Sequence, residues 1–130
     1  MNSSSRPRSR ASARTAGTRF ESQVANYLRN SLGDDRIERR ARTGAQDRGD
    51  IAGVRHQGER LVIECKNTAR PALAAWADEA EIERGNDDAL AGLVVHKRHG
   101  VATPGDQWVT LTLRDLVALL NGYRDEEDQP

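Results

Sequence analysis

The stretch Leu61-Val62-Ile63-Glu64-Cys65-Lys66 sets a carboxylate and an ammonium two positions apart. Side chains alternate along a strand, so Leu61, Ile63 and Cys65 share one face and Val62, Glu64 and Lys66 the other. Charge at the end of an otherwise apolar strand is costly unless it is paired or used. A Glu-Lys pair on the solvated face of an edge strand is one reading, and Asp50 opens a second. Ile51 to Arg55 and Arg60 to Lys66 flank His56-Gln57-Gly58, the pattern of a β-hairpin. A three-residue loop with Gly58 in the left-handed conformation sets Arg55 across from Glu59 and Asp50 across from Glu64. A two-residue Gln57-Gly58 turn would pair Asp50 with Cys65 and separate the carboxylates. The three-residue loop is the expected register.

Two carboxylates converging with a lysine have a chemical logic. Hard oxygen ligands hold Mg²⁺, or Mn²⁺ in its place, while the ion keeps waters and takes a phosphate oxygen. The ion polarises a phosphodiester and helps generate hydroxide, and the ammonium positions water or stabilises developing negative charge. The chemistry expected of Asp50, Glu64 and Lys66 is therefore phosphodiester hydrolysis.

The elements that must position these residues follow from periodicity. Phe20, Val24, Tyr27, Leu28 and Leu32 recur at helical spacing from Thr18, and Gly33 follows as a stop. Arg36 to Thr43 reads as a strand, and Gly44 to Gly49 as a loop. After the hairpin, Pro71 and Gly85-Asn86 bracket a helix with Leu73, Trp76, Ala77 and Ala80 as its stripe. Leu90 to His96 and Trp108 to Leu113 read as strands. Thr112, with Asp115 three residues on, caps a last helix bearing Leu116, Val117, Leu119 and Leu120 and ending at Gly122. The expected class is α/β, a mixed sheet flanked by helices in the order α-β-β-β-α-β-(β)-α.

The chain has 130 residues, enough for one domain. Twenty basic and twenty acidic side chains cancel, so only the distribution of charge bears on partners. That distribution is uneven. Arg6, Arg8, Arg10, Arg14 and Arg19 precede the first acid, whereas Asp125 to Asp128 is an acidic run. Residues 1–15, Ser- and Arg-rich with few bulky apolar side chains, read as a flexible basic arm, 16–122 as the folded domain and 123–130 as an acidic tail. The arm has three readings: DNA-binding through residues such as Arg10 and Arg14, merely solubilising, or a transit peptide by composition. A lone cysteine, no membrane-length apolar run and no signal-peptide pattern point to a soluble protein of a reducing cytoplasm.

Further residues have two readings each. Arg39, Arg40, Arg42 and Arg48 are phosphate contacts beside the site or a solvated basic strand. His96-Lys97-Arg98-His99 is a basic strand end touching nucleic acid or plain surface, with too few companions for a zinc site. Trp76 and Trp108 sit in apolar patterns and are expected in the core, and Cys65 is expected as a small core residue.

Gly49-Asp50 followed by Glu64-Cys65-Lys66, in this element order, resembles the PD-(D/E)xK nuclease superfamily, and more narrowly its Holliday-junction-resolvase-like branch. The resemblance covers residues 17–97, although no proline precedes Asp50. It implies a restriction-endonuclease-like core and a metal-dependent DNA endonuclease with Asp50 and Glu64 on the metal and Lys66 assisting the water. The Thr43-Gly44 to Gly49 segment leading to the aspartate also fits, which adds Thr43 to the DNA-binding residues. A first-helix glutamate matches Glu21, implying a third metal-site carboxylate. Thr18-Arg19-Phe20-Glu21 is equally a capping box in which Glu21 closes the helix start. The implied substrate is branched DNA such as a four-way junction, cut twice by a symmetric homodimer in a bacterial cell or phage-infected host. Rival expectations are a restriction- or repair-type nuclease of the same superfamily, and a DNA-binding protein that keeps the fold without turnover.

Overall fold

The protein is described by a computed structural model over residues 8–41 and 47–125. The expectations attached to Arg6, Arg42, Thr43 and the run Glu126, Glu127 and Asp128 lie outside these residues. Helix α1 spans Arg10–Leu32. Four short or medium strands follow, β1 (Glu38–Arg39), β2 (Ile51–Ala52), β3 (Arg55–His56) and β4 (Glu59–Lys66). Helix α2 (Leu73–Asp87), strand β5 (Ala91–His96), a 3₁₀ turn (Pro104–Asp106), strand β6 (Trp108–Thr110) and helix α3 (Leu113–Asn121) complete the elements of the described residues. The strands form one mixed sheet in the order β1-β2-β4-β5-β6, with β3 pairing β4. Only β4 and β5 are parallel, and α2 supplies the crossover that a parallel neighbour needs.

Helix α1 begins at Arg10, eight residues before the expected Thr18, which removes residues 10–15 from the arm. Ser9 is the cap, its side-chain oxygen accepting from Ser12 N–H at 3.1 Å. Alanines 11, 13 and 16 favour helix, and once Phe20 and Val24 are anchored each added turn needs no new nucleus. Thr18 consequently lies inside the helix, so no capping box forms and Glu21 does not close the helix start.

The hairpin corrects the expected loop and keeps its consequence. His56 pairs with Glu59, so the turn is the two-residue Gln57-Gly58, with φ of 52° and 84°. Both central residues therefore have the positive φ that such turns demand. Further along, Ile51 pairs with Ile63, an offset one residue different from Arg55 with Arg60. The extra residue lies at Gly53-Val54, a bulge in which Gly53 has φ 88° and lies so close to the Arg36 carbonyl that a Cβ would clash. The bulge restores the register that the shorter turn would have lost. The ladder ends at Ile51, and Asp50, in the bend just before it, lies beside Glu64, on which its charge acts.

Alternation sorts the sheet into two faces. Ile51, Ile63 and Cys65 pack with Phe20, Val24 and Ala25 of α1. On the other face Val94 packs with Trp76 and Ala80 of α2. A Cβ on Gly92 would lie 2.9 Å from the Ala80 carbonyl oxygen, so this glycine lets α2 sit directly on β5. Two apolar expectations fail. Trp108 is 50% exposed rather than core, because edge strand β6 has no helix over that position. Helix α3, capped by Thr112 as expected, turns Asp115 and Ala118 inward and leaves Leu113, Leu116, Val117 and Leu120 exposed. Its inward face is held by charge: Arg124 pairs with Asp115 at 2.6 Å, and Asp115 accepts from Gly92 N–H. Among the described residues no helix is long and apolar enough to cross a membrane.

Candidate metal and nucleic-acid site

The end of β4 delivers Glu64 and Lys66 to the face covered by α2, and the turn before β2 delivers Asp50 beside them. Gly49 makes that turn possible: it has φ 98°, and a Cβ there would press on Val62 and the Ile63 carbonyl at 3.1 Å. Asp50 N–H donates to the Ile63 carbonyl at 2.8 Å, and Cys65 N–H donates to Asp50 Oδ2 at 2.8 Å. Asp50 is thereby fixed against the strand carrying Glu64. From α2, Glu83 accepts Gly49 N–H at 3.1 Å, and Glu79 holds Lys66 Nζ at 2.5 Å. Oxygens of Asp47, Glu64 and Glu83 lie within 4.8 Å of one another.

Asp50, Glu64 and Glu83 are all buried, at 2%, 1% and 3% exposure. Among the described residues, Glu64 Oε2 and Glu83 Oε2 have no hydrogen-bond partner. Burial, then the Glu83 carboxyl and the charge of Asp50, drives the Glu64 carboxyl far above its usual range. Burial also raises Glu83; the neighbouring Glu64 carboxyl pulls the other way, and the charge of Asp47 adds to the rise. Burial would lower the Lys66 ammonium, but Glu79, then Glu64 and Asp50, outweigh it and hold the ammonium above its ordinary value. The lysine is thus kept charged beside a carboxylate cluster that is short of positive charge. Such a cluster either keeps a proton or takes a cation.

The structure brings Asp50, Glu64 and Lys66 together as the hairpin pattern implied. Glu21 lies on α1, close enough for its charge to raise the Cys65 thiol, with Arg39 Nε 3.0 Å from its Oε1. Arg40 donates to the Arg48 carbonyl at 3.1 Å, and Arg48 approaches Asp87 at 3.9 Å. Arg10 and Arg14 are exposed on the first turns of α1. Arg8, just before that helix, donates to the Asn67 carbonyl at 3.2 Å, which sets the basic start of the chain beside the strand end that carries Lys66. Cys65 faces α1, and burial pushes its thiol up, so it is a core residue and no nucleophile.

Asp47, Glu79 and Glu83 were not singled out from the sequence. A signal existed for Glu83. Trp76, Ala80, Glu83 and Asp87 recur at three- and four-residue spacing, so Glu83 occupies the stripe that α2 buries. Comparison of the chain with protein-family models, curated proteins and solved structures finds no match.

Proposed function

We propose that the protein is a metal-dependent DNA endonuclease with a restriction-endonuclease-like core. The observation that carries this reading is the buried convergence of Asp50, Glu64 and Glu83 beside Lys66, with one oxygen of Glu64 and one of Glu83 unpartnered among the described residues. Hard carboxylate oxygens with free lone pairs fit a divalent ion, held by Glu64, Glu83 and Asp47 with Asp50 beside them. When bound, Mg²⁺ or Mn²⁺ supplies Lewis acidity at a phosphate oxygen and acidifies a coordinated water. The chain's own contribution is positional and electrostatic. Lys66, held charged by Glu79, orients the attacking water or stabilises charge on the phosphate. Arg10, Arg14, Arg39, Arg40 and Arg48 bind neighbouring phosphates, and the Arg8 contact at Asn67 supports bringing α1 to that end of the sheet.

Branched DNA, a four-way junction in particular, is the substrate of this reading. Two symmetric cuts call for two copies, and the exposed stripe Leu113, Leu116, Val117 and Leu120 of α3 is the surface a second copy covers. The test is a panel of four-way, flap, single-stranded and linear DNA incubated with Mg²⁺ and with chelator. Metal-dependent cutting strongest on the junction supports the full reading. Cutting strongest on another member assigns a different nuclease of the same kind, and binding without any cutting assigns a non-catalytic DNA-binding protein.

A further inference from the structure

Lys66, His96 and Trp108 form a row across three strands. Lys66 pairs with His96 between β4 and β5, and His96 pairs with Trp108 between β5 and β6. Paired residues share a face and neighbouring strands lie ~4.8 Å apart, so the row runs roughly 10 Å from the candidate site's lysine to the indole. A groove of about 280 Å³ opens over it. Its floor is the His96 ring, packed on Trp76 with centroids 5.2 Å apart and hydrogen-bonded to Thr110 at 2.7 Å. Burial lowers the His96 imidazole, which favours the uncharged ring there.

Trp108 is half-exposed on a well-tied platform. The Arg98 guanidinium lies 4.5 Å from the centroid of its ring. Gln107 accepts from Arg98 N–H at 2.7 Å and donates to the Val101 and Thr103 carbonyls, each at 2.9 Å, which braces the loop that presents both. Lys97 and His99 line the same groove. A flat aromatic face with cations around it is the chemistry that stacks a nucleobase, and the groove is too small for a paired duplex.

We propose that this groove receives one unpaired nucleobase of DNA, stacked on Trp108, while the adjoining phosphate lies at Lys66. The proposal rests on the nuclease reading and deepens it: on branched DNA the base taken up is one at the branch point beside the cut, where a pair lacks stacking on one side and opens at lower cost than within a continuous duplex. A continuous paired duplex cannot fill the groove without losing a base pair and its stacking on both sides, a heavier cost than at a branch point.

The test uses the full chain in chelator with three probes: a single strand, a duplex with one unpaired 2-aminopurine, and the same duplex fully paired. Trp108→Ala should weaken the two unpaired probes about tenfold, ~1.4 kcal/mol, and abolish the 2-aminopurine quenching. Trp108→Phe should keep most of both, and paired-duplex affinity should stay within about twofold of wild type. Equal weakening of all three probes, no weakening at all, or a change in oligomeric state on Trp108→Ala with unaltered quenching would overturn the proposal. Cleavage in Mg²⁺, followed separately, keeps the two readings apart. Wild-type cutting with a silent Trp108→Ala removes the groove and leaves the nuclease. Trp108-dependent binding without cutting leaves the groove and removes the catalytic reading.

Discussion

The backbone N–H of Gly49 donates to Glu83 Oε1 at 3.1 Å across a sequence separation of 34. This bond ties the turn that carries Asp50 to the helix that covers Glu64. Glu83 therefore has two duties, a structural one through Oε1 and an electrostatic one through its unpartnered Oε2.

Glu83→Gln separates those duties. The amide oxygen still accepts from Gly49, so the thermal midpoint should change little, while the loss of charge should cut the cleavage rate about 10- to 100-fold and raise the Mg²⁺ needed for half-maximal rate. Glu83→Ala should in addition cost about 1 kcal/mol in denaturant unfolding, because Gly49 N–H loses one of its two acceptors and keeps Asp47 Oδ1 at 3.1 Å. Wild-type cleavage by Glu83→Gln at limiting Mg²⁺ would remove Glu83 from the site.

Glu21 gives a contrasting prediction. With no capping box and with Arg39 as its ion-pair partner, Glu21→Gln should shift stability by no more than about 1 kcal/mol. The Mg²⁺ titration of cleavage should match wild type. A Mg²⁺ requirement raised tenfold or more would return Glu21 to the metal-site role that the resemblance implied.

The cluster also sets a pH dependence of stability. The folded protein holds a proton on Glu64 well above the 4.5 of an ordinary glutamate, and Glu83 shifts the same way. A raised folded value means stability is fully present below about pH 4.5 and is lost as pH rises through the folded value. In chelator, the melting temperature should therefore fall from pH 5 towards pH 9. Glu64→Gln should flatten that fall, and Mg²⁺ should stabilise wild type more at the alkaline end. A melting temperature that rises over this interval would contradict the assignment of the proton.

Self-association through α3 is checked by sedimentation. Wild type should be a dimer at micromolar concentration, and Leu120→Asp should be a monomer. Its melting temperature in dilute solution should be nearly unchanged, since Leu120 is exposed within one copy. A monomeric wild type would remove the symmetric dimer from the account.

Much of the sheet was legible because alternation in Leu61 to Lys66 and the helical spacing of Phe20, Val24 and Leu28 both record burial directly. Asp50 was placed correctly against Glu64 for an incomplete reason. The turn has two residues, and the compensating bulge at Gly53 depends on contact with the Arg36 carbonyl, a tertiary event that pairwise register counting does not see. The start of α1 was missed because exposed residues Arg10 to Ala16 carry no apolar stripe, while the Ser9 cap and alanine content carry the signal. Glu83 was passed over because a buried carboxylate is read as surface until its helix face is fixed by Trp76 and Ala80. On α3 the apolar stripe misled: Asp115 and Arg124 claim the inward face, and Leu113, Leu116, Val117 and Leu120 are exposed.

The most direct test of the central claim is cleavage of a four-way junction in Mg²⁺ by wild type, Asp50→Asn, Glu64→Gln and Lys66→Ala, with junction binding measured alongside in chelator. Wild type should cut, and all three variants should lose cutting. Binding should stay within a fewfold of wild type, since the proposed reading assigns phosphate affinity to the arginines and the chemistry to these three residues. No metal-dependent cutting by wild type, or near wild-type rates in two of the three variants, would contradict it.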